Sequence, residues 1–310
     1  MGAEHPLLRA QASLTDRDLR LLGWLYDHGV LTTPQIASAL FSSLDFAQRR
    51  LLRLLNLGVV ARFRPQRFDG GSYPYHYLAD QLGTDIIAAQ RGDAPPRRDQ
   101  ARRRRAHLTS RANLPHLLGT NQIFIDLATH ERTHAGARLV RWWPPAAFHT
   151  STGYYQDGDN PQVLATRLPR PDGHGIWVDG DQMVAFFVEY DTGSERLDTL
   201  TTKIRRYTAL VELTGRDWPV LLWLPGTRRE LHLHQTLATS RTPATGGGAG
   251  VTVATATGEH TTHTARTAAD AVWWLHGRQG DRLHLADLPH TSPDAETMTT
   301  LHPDPTIYLP

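Results

Sequence analysis

Four side chains in the second half of the chain have the types and spacing of a phosphodiester-processing centre: Asp172, Glu189, Asp191 and Lys203. Asp172 follows Pro171 and precedes an apolar run at Gly175–Val178. The Asp179-Gly180-Asp181 turn then leads into a second apolar run, which ends near Glu189. A hairpin of that shape brings Asp172 and Glu189 to one end of a sheet. Two or three carboxylates with waters suit Mg²⁺ (or Mn²⁺), a cation that takes oxygen ligands and keeps much of its hydration. Such an ion polarises a phosphate and lowers the pKa of attacking water, while a nearby ammonium stabilises the developing charge. Asp172 and Glu189 are therefore expected as metal ligands, Asp191 as a further ligand or water orienter, and Lys203 as the charge stabiliser. Of thirty-three basic residues, Lys203 is the single lysine. It sits between Leu200 and Tyr207 at helical spacing, beside a packed face.

A second group lies in the first third. Gln48, Arg49, Arg50 and Arg53 fall on the polar face of a helix, and Arg62, Arg64 and Arg67 lie in or beside a following hairpin. Guanidinium groups on a helix can pair bidentately with guanine in the major groove while neighbours hold phosphates. Charge is segregated accordingly. Residues 1–110 carry sixteen Arg against ten acidic residues, and the remainder carries seventeen basic against twenty-one acidic, for a net charge of +2. A basic first third suggests a polyanionic partner.

The elements that must position these groups follow from pattern. Thr15 with Asp18 caps a first helix, Thr33-Pro34 opens a second, and a third runs from about Asp45 to Leu57, burying Phe46, Leu51, Leu54 and Leu55. Val59–Arg64 and Tyr73–Leu78 alternate as strands around Asp69-Gly70-Gly71. Three helices and a hairpin describe a winged helix-turn-helix over residues 1–90. Residues 91–112 read as a basic linker, or as a strap along a phosphate backbone. Residues 113–285 form a second domain. It holds a helix at Leu114–His130, strands at Ala137–Trp143, Gly175–Val178, Met183–Tyr190 and Val220–Leu224, and a helix at Glu195–Leu213. A loop at Thr242–Gly250, an edge strand at Val251–Thr257 and a helix at Ala268–Leu275 complete it. A four-stranded mixed core is expected, with an irregular tail over 286–310. The fold class is α+β or α/β.

With 310 residues and 40% hydrophobic content there is material for two cores. Cysteine is absent, which excludes disulfide scaffolds, thiol nucleophiles and iron–sulfur clusters. No apolar run is long enough for a membrane span, and no secretory signal opens the chain, so a cytoplasmic location is expected.

Pro171-Asp172, Glu189 and Lys203 resemble the PD-(D/E)XK nuclease superfamily, with a restriction-endonuclease-like fold. Asp191 stands where that pattern expects Lys, and Lys203 fits the variant that places it on the following helix. The whole arrangement resembles the replication-relaxation family of plasmid and mobile-element proteins. The resemblance runs over roughly residues 14–240, through Leu57-Gly58-Val59-Val60 and Val188-Glu189-Tyr190-Asp191-Thr192-Gly193 to Lys203. It implies DNA processing for a replicon by a metal-dependent endonuclease or nickase, with His116 and Asn121 as groups behind the site. Implied partners are double-stranded DNA, then single-stranded DNA, replication or conjugation proteins and a second copy of the chain. The rival expectation is a non-catalytic replication accessory or transcriptional regulator.

Two other patterns carry chemistry. His130-Glu131-Arg132-Thr133-His134 matches the zinc-protease helix, but Ala135-Gly136 ends that helix at once and no Glu between 131 and 189 offers a third ligand. A solvated helix end is expected there. His232-Leu233-His234 matches the metal-binding strand of tyrosine relaxases, with Tyr190 or Tyr207 as nucleophile. Thr227–Ala238 reads at least as well as an amphipathic helix.

Overall fold

The computed structural model describes residues 12–66, 70–94, 97–109, 112–149, 153–154, 159, 168–239, 250–262 and 266–293. The described residues divide into two compact units, with the boundary between residues 125 and 126.

In the first unit, α1 (Asp16–His28) opens with a capping box between Thr15 and Asp18, and α2 (Thr33–Leu40) with one between Thr32 and Gln35. Each box satisfies orphan N–H groups at both ends of the first turn. Helix α3 (Leu44–Asn56) starts at Ser43, whose hydroxyl accepts from the Phe46 N–H. Its inner face is Ala47, Leu51 and Leu54. Phe46, expected inside, is 54% exposed: the three smaller residues already fill the inner face, and Phe46 lies to its side, lining a groove with Phe41 and Arg50. Strands β1 (Leu31–Thr32), β2 (Val60–Phe63) and β3 (His76–Ala79) form an antiparallel sheet in the order β1-β3-β2. Helix α4 (Gln81–Arg91) packs so closely that a Cβ on Gly83 would come 2.1 Å from the Val59 carbonyl.

Most of the expected linker is helix α5 (Arg98–Thr109). Two of its arginines are used within the unit, Arg104 donating to the Tyr26 carbonyl and Arg105 pairing with Asp80. Helix α6 (Leu114–Thr133) contains the division between the units.

The second unit is built on a six-stranded sheet in sequential order: β4 (Ala137–Trp143), β5 (Gly173–Asp179), β6 (Gln182–Tyr190), β7 (Val220–Leu224), β8 (Val253–Thr257) and β9 (Trp274–Leu275). Pairing is antiparallel from β4 to β6, parallel from β6 to β8, and antiparallel again at β9. The parallel steps need crossovers, supplied by α7 (Leu197–Thr214) and α8 (Thr227–Thr239). Phe187, Ile204 and Leu222 are among the buried residues where sheet and helices meet. Each contributes roughly 1.5–3 kcal/mol by leaving water.

Three expectations change. The core has six strands, and β8 lies inside the sheet because β9 covers its outer side. Ala268–Leu275 is a turn leading into β9. There the Asp270 carboxylate accepts from the Thr267 N–H and hydroxyl, and the Trp273 indole donates to the Ala268 carbonyl. Most of the Thr242–Gly250 loop and residues 294–310 lie outside the described residues. A short α9 (Gly258–Thr262) follows β8, and no described helix is long and apolar enough to cross a membrane.

Candidate functional site

Alternation along β6 determines where Glu189 goes. Successive strand residues face opposite sides, so Ala185, Phe187 and Glu189 form one row. Ala185 and Phe187 belong to the same buried cluster as Leu200, Ile204 and Tyr207 of α7. Glu189 continues that row as a carboxylate only 2% exposed. Helix α7 meets it with two side chains one turn apart. Tyr207 donates its hydroxyl to Oε1 at 2.7 Å, and Lys203 donates Nζ to Oε2 at 3.1 Å.

Asp172 reaches the same place from the start of β5. The hairpin register sets Gly173 opposite Val188, so the residue before β5 falls beside the end of β6. The Asp172 N–H donates to the Val188 carbonyl, and its Oδ2 accepts from the Tyr190 N–H at 2.9 Å. Asp172, Glu189 and Lys203 are therefore brought together at one end of the hairpin.

Electrostatics around Glu189 are strained. Burial, and next the Asp172 charge, push its carboxyl from the ordinary 4.5 up to about 7 against the pull of Lys203 and Tyr207. For Lys203, burial works against the ammonium, but the adjacent Glu189 outweighs it and holds the group above its ordinary range. Glu195 lies 3.2 Å from the same Nζ.

Asp191 is drawn elsewhere. Its Oδ2 pairs with Arg229 of α8, and its Oδ1 accepts from the Gly193 N–H at 2.8 Å. The Lys203–Tyr207 spacing of four residues is the sequence signal that could have attached Tyr207 to Glu189. Arg229 and Glu195 had no such signal. Asn121, carried as a group behind the site, donates instead to the His28 and Val30 carbonyls within the first unit. His116, on the same helix, accepts through its carbonyl from the Thr120 hydroxyl.

In the first unit Gln48, Arg49 and Arg53 are exposed on α3. Arg49 pairs with Asp45 one turn earlier, an exposed contact that adds little stability. Arg50 differs: it pairs with the buried Asp18 and donates to the Ser13 carbonyl, so it staples α3 to α1. Its DNA-facing role is withdrawn on that ground. Arg62 and Arg64 stack on the Tyr75 ring, 3.9 and 4.9 Å from its centroid. Arg67 lies outside the described residues.

Neither histidine pattern assembles a centre. His130 and His134 stack face to face at 3.7 Å, and Glu131 accepts from the Leu139 N–H. His232 and His234 lie on helix α8, where residues two apart diverge, so the strand geometry of a relaxase is missing. His232 is exposed; His234 is buried against the Thr255 hydroxyl at 2.8 Å.

Among the described residues, no group of three or more His, Asp or Glu is arranged to hold a metal ion. The Asp172–Glu189 pair still suits Mg²⁺, which commonly takes one or two carboxylates and completes its shell with water and phosphate oxygens. Two neighbouring carboxylates, one driven toward its neutral form, are what a divalent cation relieves.

No curated protein and no solved structure matches the chain. A family model, replication-relaxation, matches residues 22–222, more than half of the sequence. The chain belongs to the replication-relaxation family, a membership that supports a role in the replication of plasmids or mobile elements.

Proposed function

We propose that the protein docks on duplex DNA through a winged helix in its first unit and cleaves or nicks the DNA backbone with a PD-(D/E)XK-like second unit. The observation that carries this reading is the meeting of Asp172, Glu189 and Lys203 at the end of one hairpin. Asp172 and Glu189 would hold Mg²⁺ (or Mn²⁺), which supplies phosphate polarisation and a more acidic bound water. Tyr207 positions Glu189 by fixing Oε1. Lys203 presents its ammonium where negative charge grows on the phosphate, and Glu195 helps to orient it. Asp191, tied to Arg229, braces the end of β6 against α8. The helix order, the α3 face and the β2–β3 hairpin support the docking half.

Two observations favour a second reading, a non-catalytic replication accessory. Both Glu189 oxygens are already bonded, and the position of the superfamily lysine holds Asp191.

The test is Mg²⁺- or Mn²⁺-dependent breakage of plasmid DNA carrying the replicon's own sequence. Glu189→Gln should abolish cleavage and leave DNA binding close to wild type. Binding without breakage under every metal condition would establish the accessory reading.

A further inference from the structure

Helix α3 exposes more apolar surface than its packing requires. Leu44 is 49% exposed, Phe46 54% and Leu52 48%, although Ala47, Leu51 and Leu54 already supply the inner face. Helical spacing sorts the outer residues. Asp45, Arg49, Leu52 and Asn56 follow one stripe, and Phe46 and Arg53 flank it on one side. The Arg49 guanidinium lies 5.5 Å from the Phe46 ring centroid. The apolar side chains are thus interleaved with cations rather than gathered into a separate patch.

That mixture identifies the occupant. Asp45 offsets Arg49 on α3, and Arg53, with Arg62 and Arg64 on the hairpin side, leaves the face with a net charge that complements phosphate. In the major groove, the C5 methyl of thymine is the apolar group on the base edges, and side chains such as Phe meet it directly. We infer that Phe46 and Leu52 read thymine methyl groups in duplex DNA, and so set sequence specificity between arginines that supply attraction. The inference rests on the docking role proposed above for the first unit.

The experiment uses the full chain. A pool of randomised duplexes is selected for binding, and the winning duplex is resynthesised with deoxyuridine in place of thymidine, which keeps the pairing and removes only the methyl. Each contacted methyl should be worth about fourfold in Kd, the value of one such group removed from water. Phe46→Ala and Leu52→Ala should each shrink the thymine-over-uracil advantage while binding the uracil duplex about as well as wild type. Both side chains are half-exposed, so the variants should keep the wild-type circular dichroism and melting temperature. Equal wild-type affinity for the two duplexes would overturn the inference, as would an advantage that survives undiminished in both variants. Phe46→Ala breaking up an oligomer without changing DNA affinity would assign the face to a second copy instead. Absence of any salt-sensitive duplex binding would overturn the parent docking reading and this inference with it.

Discussion

The outer face of α3 and the end of β6 both concentrate charge, and they do so in opposite ways. On α3, Arg49 and Arg53 stand in solvent, and the pair that Arg49 makes with Asp45 is exposed on both sides. At the end of β6, Glu189 is buried, bonded at both oxygens and held out of its ordinary ionisation range by burial and by Asp172. Charges in water cost little to hold and exchange partners freely, which suits a surface that meets a polyanion. Charges out of water are expensive unless matched, which suits a centre whose occupant must be specific. The same chain therefore keeps adaptable cations at one site and a fixed carboxylate–ammonium group at the other.

The largest expected effect comes from the buried side. Glu189→Gln removes the charge of the proposed ligand while nearly keeping shape, and should lower the cleavage rate by at least about 10²-fold in a single-turnover assay. Unchanged cleavage would place the chemistry elsewhere.

The next effect concerns neighbours on α3 that look alike in sequence. Arg50→Ala leaves the buried Asp18 without its partner and should cost roughly 2–3 kcal/mol in denaturant unfolding of the first unit. Arg49→Ala should leave that stability nearly unchanged. The Asp18 carboxyl is held below its ordinary range: burial opposes this, but Arg50 and the Thr15 bonds prevail. The stabilisation it brings is accordingly present above the unfolded value of 3.8 and lost as pH falls through the lower folded value. Equal stability losses for the two arginine variants would erase the distinction drawn between them.

Cation affinity should depend on pH through Glu189. Its folded value is raised, so in the absence of a cation its ionisation costs stability as pH climbs from 4.5 to about 7, and a bound cation must displace that proton. Mn²⁺ affinity should rise by up to about tenfold per pH unit below 7 and level off above it, as read by calorimetry. A flat profile would remove Glu189 from the ligand set.

The smallest effect belongs to the exposed side. Charge reversal at Arg49 and Arg53 should weaken duplex binding and lower the salt dependence by about one unit of slope per lost phosphate contact. A fragment of residues 120–310 that binds as tightly as the whole chain would contradict docking through the first unit.

Much of this was legible in the sequence, for identifiable reasons. Strands β4 and β7 were bounded correctly because apolar runs there are flanked by clear breaks, and Asp179-Gly180-Asp181 announced the hairpin that joins Asp172 to Glu189. Lys203 could be placed because Leu200 and Tyr207 frame it at helical spacing. What stayed hidden depends on long-range partners. Arg50 and Arg49 are adjacent and chemically identical, and only the position of Asp18, thirty-two residues away, separates their roles. Asp191 is claimed by Arg229, thirty-eight residues on. Strand β9 is two residues long and follows an alanine pair that reads as helix, so β8 looked like an edge.

The most direct test falls on the chain's single lysine. Lys203→Ala and Lys203→Arg should be compared with wild type for metal-dependent cleavage of replicon DNA under single-turnover conditions, with DNA binding measured alongside. The expected result is loss of cleavage in Lys203→Ala with binding retained, and poor rescue by Arg, whose broad fork replaces a compact ammonium between Glu189 and Glu195. Full cleavage by Lys203→Ala would contradict the assignment of this cluster as the catalytic centre.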